Sequence, residues 1–188
     1  MSSNTLKVAI LAISTLLGFA ALPASAVEFE KGKTYVLLSN LHPDMNRRVL
    51  YTMNYNLAAL MPMCDEITVI KKKKKKLIFE WKGQEYTFAY DGHTKKSGTS
   101  FDDALNFYIG ENCDKEKVAS LSEIDQKGIR NGQPYKGMSR EAIVYAMGRP
   151  PIHVNPDLEA HSYTYWINRY KRKIIDFNEE GIVEDIRL

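Results

Sequence analysis

Gly137-Met138-Ser139-Arg140-Glu141-Ala142-Ile143-Val144-Tyr145-Ala146-Met147-Gly148-Arg149-Pro150-Pro151 is the stretch whose reading decides the fold of this chain. Ser139 has the chemistry of an N-cap, because its hydroxyl can accept from a backbone N–H of the first helical turn. Glu141 suits the positive end of the helix dipole, and Met138 and Ile143 stand at N′ and N4, where they can close a hydrophobic staple. Gly148 supplies a stop, and Pro150-Pro151 cannot continue a helix. The spacing predicts a helix over 140–147.

Three strand-like runs follow, at 162–168, 172–177 and 182–186. Asn178-Glu179-Glu180-Gly181 joins the last two as a tight antiparallel hairpin, so the segment reads as a helix followed by a three-stranded meander. With a period of two, Tyr163, Tyr165 and Ile167 share one face of the first strand, and Thr164 and Trp166 the other. Aromatic rings on both faces leave two readings: a contact strip for another envelope protein, or a surface covered by the rest of the chain.

Upstream, five short runs rich in Val, Ile, Thr, Tyr and Phe, at 34–38, 48–52, 66–70, 77–81 and 86–90, predict a small antiparallel sheet or barrel of SH3-like type. Trp81-Lys82-Gly83-Gln84 reads as a hairpin turn, 54–63 stays unassigned, and 91–99 reads as a loop. Ser100 with Asp103 opens a helix whose Phe101, Ala104, Leu105 and Tyr108 share a face, ending at Gly110. A second helix starts at Ser120 with Glu123 and stops at Gly128. The fold class is therefore α+β. A β-rich domain at 27–99 and a helical connector at 100–131 lead to a helix-and-meander domain at 132–188, with a first helix starting as early as 118.

The order Gly137-Met138-Ser139, short helix, Gly148-x-Pro150, aromatic strand with Tyr163, Tyr165 and Trp166, then Ile175-x-Phe177 and Gly181-x-Val183 resembles the SmpA/OmlA domain, the BamE-like fold of an outer-membrane assembly lipoprotein. The resemblance covers residues 118–188. It implies helices packed on one face of a three-stranded sheet, a role in outer-membrane protein assembly and, in some members, anionic phospholipid as a ligand. The chain departs from the pattern in lacking the lipidated cysteine and in carrying the additional β-rich domain.

At the N terminus, Lys7, the apolar run from Val8 to Ala21, Pro23 and Ala24-Ser25-Ala26 follow the order of a secretory signal peptide. The run is shorter than the ~20 residues that span a bilayer, so the expectation is cleavage between Ala26 and Val27, release into the periplasm or medium, and no transmembrane segment thereafter. The remainder suffices for one ordinary domain or two small ones. An oxidising compartment makes a bond between Cys64 and Cys113 natural if their Cα atoms fall within reach, and the competing readings are two isolated thiols or a redox pair.

The 26 basic and 23 acidic residues nearly balance, which points away from nucleic acid. Within that balance, Lys71, Lys72, Lys73, Lys74, Lys75 and Lys76 run consecutively. They read either as a solvated hairpin tip that blocks edge-to-edge association, or as a site for an anionic lipid head group or polysaccharide. Arg169, Lys171, Arg172 and Lys173 form a second basic cluster, and two clusters facing one side would favour the polyanion reading. His42, His93, His153 and His161 show no zinc spacing, although the loop around Asn155-Pro156-Asp157 could bring His153 to His161. No nucleophile motif, phosphate loop or calcium loop is present. The expectation is a non-catalytic envelope protein with no cofactor and no metal, working through a protein partner or through an anionic ligand.

Overall fold

The computed structural model describes residues 27–188; the predicted leader and its cut after Ala26 lie outside the described residues. The chain folds as mixed α+β. Strands β1 (Thr34–Leu37), β2 (Val49–Tyr51), β3 (Glu66–Lys73), β4 (Lys76–Trp81), β5 (Gln84–Ala89) and β6 (Ile109–Gly110) make one curled six-stranded sheet in the order β2-β5-β4-β3-β1-β6. Alternation drives it: Ile67, Val69, Leu77, Phe79, Tyr86 and Phe88 all turn inward onto Tyr35, Leu37, Leu105 and Tyr108. One pairing departs from the antiparallel expectation, because β2 joins β5 in parallel. The irregular 52–65 segment carries the chain away from β2 instead of folding it back as a hairpin, and β2 is left to dock on the far edge.

Helices α1 (Gly92–Lys96), α2 (Phe101–Asn106), α3 (Lys115–Ser120), α4 (Glu123–Asn131) and α5 (Arg140–Met147) follow. The expected loop at 91–99 contains α1, which forms because the Asp91 carboxylate caps the N–H groups of His93 and Thr94. Ser100 caps α2 as its spacing predicts, but Gly110 lies in β6 beside β1, where Leu38 packs against its backbone. The second helix expected from the sequence is α4, which is capped by Ser122 with Asp125, not Ser120 with Glu123, and runs through Gly128 to Asn131, with Gly132 as its C-cap; Ser120 instead ends α3, which Asp114 caps. Gly128 serves the crossing of α4 over the chain before α5, since a Cβ there would strike Met138.

The predicted connector therefore divides. Phe101, Leu105, Tyr108 and Ile109 enter the first core, and a disulfide from Cys113 to Cys64, with Cα atoms 5.4 Å apart, pins this segment beside the start of β3. In the chain-entropy picture, closing that span of 49 positions stabilises the fold by about 4 kcal/mol. By contrast, Val118, Leu121, Ile124 and Ile129 belong to the second core.

That core lies between the helices and an antiparallel sheet of β7 (Ser162–Trp166), β8 (Arg172–Phe177) and β9 (Val183–Arg187) in that order. Ser139 caps α5, and the staple residues Met138 and Ile143 are both buried. The two units are bonded through the end of α5, whose last carbonyls have no partner within the helix. Asn40 meets them from the first unit: its backbone N–H donates to Tyr145 O at 2.8 Å and its side-chain amide to Ala146 O at 3.1 Å. The Tyr108 hydroxyl donates to Arg149 O at 3.2 Å. Among the described residues no helix is long and apolar enough to cross a membrane.

Candidate functional site

The lysine run is a hairpin. Lys71–Lys73 finish β3, Lys74-Lys75 make the turn, and Lys76 opens β4 opposite Lys73. Lys72 is the exception to their exposure, because it ion-pairs with Asp102 and lies 5.5 Å from the Phe29 ring centroid. The other five ammonium groups stand in water.

Register fixes what lies beside this tip. Lys76 is level with Ala89, Ala89 is level with Tyr51, and the Tyr90 N–H donates to Lys75 O at 3.0 Å. The lysine hairpin, the end of β5 and the end of β2 thus share one end of the sheet. Chain leaving that end of β5 enters α1, which adds the exposed Lys95 and Lys96. Next to Tyr51 lies a cleft of about 550 Å³, lined by Arg47, Tyr51, Tyr55, Asp91, His93 and Arg169 among others.

Arg169 brings the second basic cluster to the same end. It stands in the β7–β8 turn, where the Asn168 side chain accepts from the N–H groups of Tyr170 and Lys171 at 2.8 and 3.0 Å. That Asx turn holds the guanidinium 5.1 Å from the centroid of the Tyr170 ring, which is 81% exposed. Lys171 and Arg172 are exposed as well. Lys173 differs: it is only 9% exposed, and its ammonium donates to Gln133 Oε1 at 3.0 Å and Asn56 Oδ1 at 3.3 Å between the two units. It is withdrawn from the surface because β8 alternates, with Lys173, Ile175 and Phe177 all facing inward.

The aromatic strand is likewise occupied. Tyr163 and Tyr165 are fully buried in the second core, and their hydroxyls donate to Leu158 O and Gly148 O. Trp166 is half-buried, and its carbonyl accepts the Asn56 N–H at 2.8 Å, tying this strand to the first unit. Tyr163 and Tyr165 are thus enclosed in the second core, and of the three aromatics only Trp166, on the opposite face, stays partly exposed.

Charge in the cleft is set by its surroundings. Burial by itself would raise the Asp91 pKa, but bonds from the Thr52 hydroxyl and from Thr94 and His93 outweigh it and hold the carboxyl below the usual range. Burial also pushes the Tyr55 hydroxyl up, so it stays a neutral donor. His42 lies outside the cleft, buried between the units. His153 meets His93, not His161, and the two rings stand 4.7 Å apart. Among the described residues no three His, Cys, Asp or Glu side chains converge. Arg47, Tyr51, Tyr55 and Asp91 escaped the sequence reading because their clustering is produced by the parallel docking of β2. Tyr170 escaped it too, although a ring between Arg169 and Lys171 at a turn was a signal that could have found it. No known protein family, curated protein or solved structure matches this chain.

Proposed function

We propose that the protein is exported to the periplasm, its leader cut after Ala26, and acts there as a non-catalytic envelope module. Its working surface is the basic end of the first sheet, and its ligand is an anionic component of the envelope, a lipid head group or polysaccharide. The observation that carries this reading is the placement of the Lys73–Lys76 hairpin tip and Arg169 at one end of the six-stranded sheet, from which the chain runs on into α1 with its exposed Lys95 and Lys96. Each such charge near an anionic surface contributes about 1 kcal/mol, so the group acts as a set. The disulfide is consistent with an oxidising compartment. The helix, Gly148 stop and meander agree with the resemblance to the SmpA/OmlA domain, which supports a place in outer-membrane assembly, and the curled sheet supports an SH3-like first domain.

Docking of an envelope protein is the second reading, favoured by the exposed Tyr170 ring. Salt separates the two, because contacts between exposed charges are screened and aromatic docking is not. The test is sedimentation with phosphatidylglycerol and phosphatidylcholine vesicles at low and high salt, comparing the parent with Lys73, Lys74, Lys75 and Lys76 changed together to Gln. Binding to the anionic vesicles only, lost in salt and in the variant, is expected; salt-insensitive binding or none overturns the lipid reading, and failure to bind an anionic polysaccharide in the same salt series as well overturns the polyanion reading and leaves protein docking.

A further inference from the structure

The structure assigns a second site, at the margin of the first: we propose that His93 and His153 form a transition-metal site that clasps the first unit to the second. His93 sits in the first turn of α1, whereas His153 follows Pro150-Pro151 in the other unit. Their rings stand 4.7 Å apart, centroid to centroid, with 33° between their planes. None of their ring nitrogens hydrogen-bonds to a described residue, so the lone pairs are free. Packing alone would be served by any pair of rings; imidazoles add nitrogen donors, and the separation of their centroids is one that metal chemistry uses. With metal–nitrogen bonds of ~2.0–2.1 Å and a near-tetrahedral angle, two imidazoles on one ion have centroids about 5 Å apart.

Two neutral imidazoles select Cu²⁺, Ni²⁺ or Zn²⁺ over Mg²⁺ or Ca²⁺. Asp91 lies close enough for its charge to act on His153, and it favours a cation there. It is not itself a ligand, since its oxygens already accept from Thr52, Thr94 and the His93 N–H, which fixes the turn that presents His93. Lys96 shares the surrounding cleft with Ile152 and Pro156 and opposes the cation. Water completes the coordination. Because the two ligands come from different units, an ion held by the folded chain and not by the unfolded one raises the melting temperature.

The test is calorimetric titration of the untagged protein with Cu²⁺, Ni²⁺ and Zn²⁺, together with thermal melts. His93→Gln and His153→Gln are compared with His161→Gln, which lies outside the pair. Expected is one ion per chain, a melting temperature raised by metal and not by Mg²⁺, and affinity weakened by about tenfold or more in either pair variant. Metal-free melts show that each variant is folded. Absence of saturable one-site binding in the parent, or parent-like affinity in either pair variant, overturns the proposal.

Discussion

The side-chain amide of Asn54 donates to the carbonyl oxygens of Met147 at 2.8 Å and Arg149 at 2.9 Å, so a residue of the first unit closes the last turn of α5 in the second. The approach depends on Gly148, whose φ is 73° and whose missing Cβ would lie 2.7 Å from the Asn54 amide nitrogen and 3.2 Å from Asn40 O. Asn54 itself has φ 54°, a conformation that Asn tolerates better than most residues. Gly148→Ala is expected to destabilise by about 2–4 kcal/mol, through backbone strain and the collision together. Asn54→Ala should cost about 1–3 kcal/mol by leaving buried carbonyls unpaired. Urea unfolding of both variants and of the double variant checks this; since the sites touch, the double variant should lose less than the two single losses added.

A pH dependence follows from His42. Burial lowers its pKa, against bonds between its ring nitrogens and the carbonyls of Leu57 at 3.0 Å and Ala146 at 3.4 Å. The unfolded chain then binds more protons than the folded one between the depressed pKa and the ordinary 6.5, so stability rises with pH through that window and is lost on acidification. His42→Gln should flatten this acid limb. Urea midpoints at pH 7 and pH 5 measure it, and an unchanged slope in the variant would assign the limb to other groups.

Lys173 acts in the same direction at the alkaline end. Burial lowers its pKa, with amide oxygens and no carboxylate as partners. Below the folded pKa the cost of burying the ammonium is present in full, and it is relieved as pH rises toward the unfolded value of 10.5. The parent should therefore gain stability relative to Lys173→Met between pH 7 and pH 10. Guanidinium midpoints of the pair at both values test the sign, which the comparison isolates because tyrosine titration is common to both chains.

These interface groups mark the limit of what the sequence discloses. The Ser139 cap, the Met138–Ile143 staple and the β8–β9 hairpin are local, set by residues within a few positions, and all were legible. So were the strands around Ile67, Leu77 and Tyr86, whose alternation is a property of each strand alone. The parallel docking of β2 on β5 is a choice between distant edges, and neither strand carries a signal for it. Gly128 was read as a helix stop because a glycine required by a neighbour, here Met138, has the same letter as one required by a left-handed turn. Lys173 belonged by sequence to a basic turn, yet its strand phase points it inward. For the basic end of the sheet, the residues were visible and their common placement was not.

The last expectation concerns Asp125, which couples two helix starts. Its Oδ2 accepts the Ser122 hydroxyl at 2.8 Å in the cap of α4, and its Oδ1 accepts the Ser139 N–H at 2.7 Å, at the entry to α5. The side chain is 5% exposed, so both bonds are shielded from water. Removing the acceptors with Asp125→Ala leaves the Ser139 N–H without its partner, at a cost of about 2–3 kcal/mol. Asp125→Asn keeps one oxygen for Ser139 and presents an amide donor to the Ser122 oxygen, so about 1 kcal/mol should be lost. Chemical denaturation of both variants decides the matter. A graded loss, Ala more than Asn, makes hydrogen-bond acceptance the function of this residue, whereas equal losses would mean that its charge, acting on the first turns of both helices, is what matters.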